Sequence, residues 1–282
     1  MPLSPLEPTD TRALFRPVSS ELVTLLRGLN DDDWQRPTIA GTWVVRDIVA
    51  HLADLTFRRL SFHRDGMPPP PPPRRPIRSE RDFVDFINAL NADWVGVAKR
   101  FSPRVLTDLF ELASGDLADW FEGLPFDAPA LFGVSWAGEQ TSEGWFDVGR
   151  EFSELWHHQQ QIRIAVGAPA LADARYLRAV LTIAVRGLPH AYRGQQAAAG
   201  DTVVLEVSGS AGGTWTLRRE ADRWTLHAGE AASATTRVRV SDDALWKLLH
   251  NALEGQDAAA ALEVEGRRDL AGPLVSARSV IV

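Results

Sequence analysis

A chain of 282 residues holds about two domains, and its 37 acidic against 30 basic residues disfavour a nucleic-acid partner, which needs basic stripes. With no cysteine, the chain has no disulfide, no thiolate metal site and no cysteine nucleophile of its own. At 45% hydrophobic residues it reads as globular; with no apolar run of about 18 residues and a polar, Pro-rich start it reads as cytoplasmic, with no membrane partner.

Residues 9–28 carry Leu14, Val18, Leu22 and Leu25 at helical spacing, with Thr9 or Asp10 available as N-cap. Residues 43–63 repeat the pattern through Val44, Ile48, Leu52 and Leu55. Six consecutive prolines, Pro68 to Pro73, forbid helix and strand and read as a stiff linker, with a Pro-rich recognition motif as the alternative. Helices resume over 79–100, 105–122 and 142–166. Several long amphipathic helices with short joins predict a four-helix type of bundle. Another helix is expected over 173–193, after which the period drops to two. Strands follow over 202–208, around Trp215 and Leu217, around Trp224 and Leu226, and over 236–240, then a helix capped by Ser241. The expected fold is multi-domain: an all-α helical bundle over residues 1–167, then a smaller α+β domain with an antiparallel sheet over 168–282.

Helical phase sorts the histidines. His51 shares one face with Val44, Ile48 and Leu55, so it points into the bundle. A core histidine with a satisfied ring accounts for that placement by itself. Glu154 and His158, four apart, project from one face of the last bundle helix beside the apolar stripe of Leu155, Ile162 and Val166. His157 turns further from that stripe. A carboxylate and an imidazole, joined by His51 from another helix, make three ligands for a divalent metal. Catalytic zinc sites commonly use three protein ligands and keep one position open. The plainer alternative for the pair is a Glu–His hydrogen bond on a helix surface. Asp47 is either a fourth ligand or a surface acid, and His63, His190, His227 and His250 are assigned to packing or surface.

The residues also carry a resemblance. Trp34-Gln-Arg-Pro-Thr38, then Gly41-Thr-Trp43 through Asp47 to His51, resembles the N-terminal signature of DinB-like metal-binding bundles, most closely the mycothiol-dependent maleylpyruvate isomerase branch. Arg150, Glu154, Trp156 and His158 are similar to that branch's second signature. Gly212 to Trp215, Ser241-Asp-Asp with Trp246, and Val264-Glu-Gly266 resemble the sterol-carrier-like domain attached to these isomerases. The likeness spans nearly the whole chain. It implies that His51, Glu154 and His158 ligate a divalent metal, zinc, and that the C-terminal sheet faces the metal across a cleft. It also implies an acidic residue where Gln161 stands, a departure that alters the surroundings of the ligands. An arginine of the C-terminal domain is implied too, with Arg218, Arg219, Arg223, Arg237 and Arg239 competing for the role.

Three-ligand zinc can bind and deprotonate a thiol, and a chain without cysteine must take that thiol from a small cofactor. In the family, mycothiol adds as thiolate to the double bond of a maleyl acid, and rotation and elimination deliver the trans isomer. Related bundles transfer the thiol to an electrophile. The expected function is thus a zinc- and mycothiol-dependent isomerase or thiol S-transferase acting on a small acidic or electrophilic substrate. The alternatives are a metal-binding protein with hydrolytic or no catalytic activity, and an apolar-ligand carrier with Trp215, Trp224 and Trp246 lining its cavity. The reading leaves monomer and homodimer open.

Overall fold

The protein is described from a computed structural model that covers residues 3–68, 76–171 and 173–281. Pro69 to Pro73, most of the proline run, lie outside the described residues.

Two compact units interleave along the chain. Thr11–Leu131, Glu154–Ala172 and Ile281–Val282 form one; Met1–Asp10, Phe132–Ser153 and Asp173–Val280 form the other. The first is helical. It contains α1 (Phe15–Arg27), α2 (Val45–Arg59), α3 (Glu80–Ala98), α4 (Pro103–Gly123) and the second half of α5 (Gly144–Val166). The helix starts follow capping chemistry. Ser79 Oγ accepts the Asp82 N–H at 3.1 Å, and Ser102 Oγ accepts the Val105 N–H at 3.3 Å, with Pro103 in the first turn. At the start of α2, Asp47 Oδ2 accepts the Val44 N–H at 3.2 Å, so this acid caps a helix. The apolar faces then close on one another. Phe15, Val18, Leu22 and Leu26 of α1 and Leu106, Phe110, Leu117 and Phe121 of α4 are buried, with the Phe15 and Phe121 rings 4.7 Å apart. Burial of each such side chain contributes about 1.5–3 kcal/mol.

The second unit holds α6 (Ala174–Ala184), α7 (Leu188–Ala191), a five-stranded sheet, and α8 (Asp242–Leu249), α9 (Gly255–Ala260) and α10 (Gly272–Ser276). The single helix expected over 173–193 is broken by a 3₁₀ turn at Val185–Gly187. Pro189 explains the break: it has no N–H to donate, and its ring excludes a helical carbonyl at Val185. The first half of α5 belongs here. Its Gly149 lies so close to α6 that a Cβ there would clash with the Ile183 side chain, and the rings of Phe152 and Tyr176 have centroids 6.4 Å apart. The N-terminal segment belongs here as well, since Ser4 and Ala228 exchange backbone hydrogen bonds of 3.1 and 2.9 Å.

The sheet comprises β1 (Thr202–Ser208), β2 (Gly213–Arg219), β3 (Trp224–Ala228), β4 (Thr236–Ser241) and β5 (Glu263–Gly266), in the order β3-β2-β1-β4-β5. The α+β class holds, with one correction: the sheet is mixed, because β1 and β4 run parallel. The segment after β3 crosses to the free edge of β1 and is pinned on the way. Thr216 Oγ1 donates to Gly229 O at 2.8 Å and accepts the Ala231 N–H at 3.2 Å, while Thr202 Oγ1 donates to Ser233 O at 2.9 Å. Val203, Leu205, Trp215, Leu217 and Val238 alternate onto the opposite face and are buried with Leu245 and Trp246 of α8. Trp215, Trp224 and Trp246 are all core residues. Trp224 packs on Tyr192, and Trp246 Nε1–H donates to Asp243 Oδ1 at 3.1 Å. Among the described residues no helix is long and apolar enough to cross a membrane.

Candidate metal centre

His51 and His158 reach one point of the helical unit from different helices. His51 lies two turns into α2, and its inward phase follows from Val45, Ile48 and Leu52, all buried beside it. Glu154 and His158 lie one turn apart on α5. The structure brings the three together: one ligand atom from each of His51, Glu154 and His158 falls within 4.8 Å of the others. His158 Nε2 stands 3.4 Å from Glu154 Oε2, and the two histidine rings meet edge to face with centroids 4.9 Å apart. Trp43 covers the pair, its ring 5.0 Å from that of His51 and 6.3 Å from that of His158.

The electrostatics suit a cation. Burial pushes the His51 imidazole down to about 3, helped by His158 and Arg58 and opposed by Glu154, so the ring stays neutral at physiological pH. Its Nδ1 is buried and has no hydrogen-bond partner. Burial by itself would raise the Glu154 carboxyl, but its hydrogen bond to His158 and the nearby His157, His158 and His51 outweigh that and hold it well below its usual range. A neutral imidazole, a carboxylate and an unsatisfied buried nitrogen are what a divalent cation such as zinc requires of its ligands. The residues therefore fit a metal.

Other polar residues surround this group. Gln161, one turn beyond His158, places Oε1 2.7 Å from His158 Nδ1 and is 3% exposed. Arg58, two turns beyond His51 on the same face, is held by Asp54 at 2.9 Å and by Asn91 Oδ1 at 3.1 Å. Its influence on His51 was signalled only by the seven-residue spacing. His157 is 3% exposed with its ring 4.1 Å from that of His158, yet it is not among the converging ligand atoms. Nor is Asp47, which caps α2.

Residues 15–163, just over half of the chain, match the family model of the mycothiol maleylpyruvate isomerase N-terminal domain. The chain belongs to this family. Among solved structures it is similar to a mycothiol-dependent maleylpyruvate isomerase, with a TM-score of 0.55, 15% identity and 93% of each chain covered. It is also similar to a mutant of a mycothiol-dependent maleylpyruvate isomerase, with a TM-score of 0.51, 15% identity, and 87% of this chain and 88% of that one covered. At that identity the likeness speaks for the fold. No curated protein matches the chain.

Beyond the domain that defines the family, the arginines of the sheet differ in their commitments. Arg237 pairs with Glu206 and Glu230, Arg239 with Glu206 at 2.9 Å and Glu265 at 3.3 Å, and Arg218 stands 3.6 Å from Glu220. Arg219 and Arg223 form no ion pair within 4.0 Å among the described residues. The remaining histidines lie apart from any such ligand group among those residues. His63 stacks on Trp120, His227 Nε2 lies 2.9 Å from Thr225 Oγ1, and buried His250 has Nδ1 2.9 Å from Trp246 O.

Proposed function

We propose that the protein is a metal- and mycothiol-dependent enzyme, an isomerase or thiol S-transferase, with zinc held by His51, Glu154 and His158. The observation that carries this reading is the convergence of three ligand atoms within 4.8 Å, inside the domain that defines the family. When bound, zinc supplies a Lewis acid that holds an incoming thiol as thiolate near neutral pH. The other contributions come from the chain. Burial keeps His51 neutral and its lone pair available. Glu154 stays ionised and supplies the negative protein ligand. Trp43 shields one side of both imidazoles from water. Having no cysteine, the chain takes its thiol from a small molecule, and mycothiol is the one the family's name supports.

The substrate is a small electrophile or acidic alkene. The proposed partners are small molecules only.

The test is incubation of stripped and zinc-loaded protein with mycothiol and either a cis-alkene diacid or a thiol-reactive electrophile. Zinc-dependent cis-to-trans conversion without net thiol loss marks an isomerase. Loss of thiol and electrophile in equal amounts marks a transferase. Zinc-dependent hydrolysis that proceeds equally without thiol would replace this reading with a hydrolytic one, and failure to take up any divalent metal would end it.

A further inference from the structure

His158 has two ring nitrogens with different neighbours. Nε2 faces Glu154 Oε2 at 3.4 Å, inside the group of converging ligand atoms, and Nδ1 lies 2.7 Å from Gln161 Oε1. An amide oxygen only accepts. Nδ1 keeps its proton in that contact, so when a metal displaces the proton that Nε2 shares with Glu154, Nε2 is the nitrogen that offers the lone pair. The opposite amide orientation would place an N–H against Nδ1 and leave Nε2 protonated, which removes it as a ligand. Gln161 is 3% exposed and sits on the same helix as His158, one turn away, so water does not compete for the contact and the backbone fixes its distance.

We propose that Gln161 is the positioning residue of the centre: it fixes the tautomer and ring orientation of His158 and, being uncharged, leaves Glu154 as the one negative group among the residues that build the site. The inference rests on the metal reading above. Charge is its functional content. A divalent cation with one carboxylate and two neutral imidazoles carries a net single positive charge, which one thiolate neutralises. A carboxylate at position 161 would add a second negative charge to the centre and disfavour that anion. Partners of this kind, hydrogen-bonded to a ligating histidine, commonly alter metal affinity by about 10–100-fold.

Two variants separate the roles. Gln161→Met preserves bulk and removes the acceptor; Gln161→Glu preserves the acceptor and adds charge. Zinc affinity is measured by chelator competition, and the protonated nitrogen of His158 by ¹⁵N NMR of the zinc-loaded protein. Wild type and Gln161→Glu should carry the His158 proton on Nδ1, with Gln161→Glu binding zinc more tightly. Gln161→Met should bind zinc about 10–100-fold more weakly, at a melting temperature of the metal-free protein close to that of wild type. Equal zinc affinity in wild type and Gln161→Met overturns the inference alone, as does a wild-type His158 that carries its proton on Nε2. The second readout needs no variant to fold. A wild type that binds no zinc overturns the metal reading and this inference together.

Discussion

Two carboxylates in this protein meet opposite fates. Glu206, on the sheet, is neutralised by Arg237 and Arg239, and those arginines share their charge with Glu230 and Glu265. Glu154, in the helical unit, has imidazoles for neighbours and no arginine or lysine within ion-pair range among the described residues. A carboxylate with guanidinium partners is complete as it stands. A half-buried one with imidazoles and no guanidinium beside it holds a negative charge that a divalent cation satisfies. The difference is one of counter-charge, since both side chains are shielded from full solvent contact.

The strongest way to break that comparison is to remove each charge in turn. Glu154→Gln should lower zinc affinity by more than the ~100-fold upper range typical of residues that only support a ligand, read by chelator competition. Glu206→Gln should leave zinc affinity unchanged. Equal effects in the two variants would mean that Glu154 is not a ligand.

Acid should sharpen the contrast in metal-free protein. His51 is held neutral in the fold, down to about 3, whereas an unfolded histidine takes up a proton near 6.5. Between those values the unfolded chain binds the extra proton, so stability falls as pH drops through 6.5 and continues falling towards 3. The slope from this residue approaches about 1.4 kcal/mol per pH unit. Denaturant titrations across that window should show the decline, and His51→Leu should flatten it. An identical slope in the variant would assign the acid sensitivity elsewhere.

Smaller effects follow on the sheet and beside the centre. Glu206→Gln should cost about 1 kcal/mol, the scale of a partly exposed ion pair, seen as a modest drop in melting temperature at constant zinc content. His157→Ala should lower stability by opening a gap at a buried position, yet leave zinc affinity close to wild type. His158→Ala should lose most zinc binding. A reversal of that ranking would make His157 the ligand.

Much of the fold and part of the site were legible in the sequence. Helical phase sends His51 inward with Ile48 and places Glu154 and His158 on one face, because the period of 3.6 residues fixes relative direction within a helix. Period-two stretches located β1 to β4, but the short edge strand β5 stood only inside a motif and was not read as a strand. The phase of His157 pointed away from the apolar stripe, yet the residue is buried, because phase gives direction and not what covers it. Asp47, left open between ligand and surface acid, proves to be a helix cap, a role decided by a hydrogen bond three residues back.

The sequence by itself thus determined most of the elements, most of their inward faces and the family signature, all properties of local spacing. Only tertiary structure decided what lies between segments far apart in the chain. It set α2 against α5 so that His51 meets Glu154 and His158, and it laid β4 parallel to β1 through a crossing segment held by Thr202 and Thr216. It also divided α5 between two compact units. Periodicity records how a side chain points relative to its neighbours in sequence. Which surface it meets depends on the packing of the rest of the chain, and no local pattern carries that information.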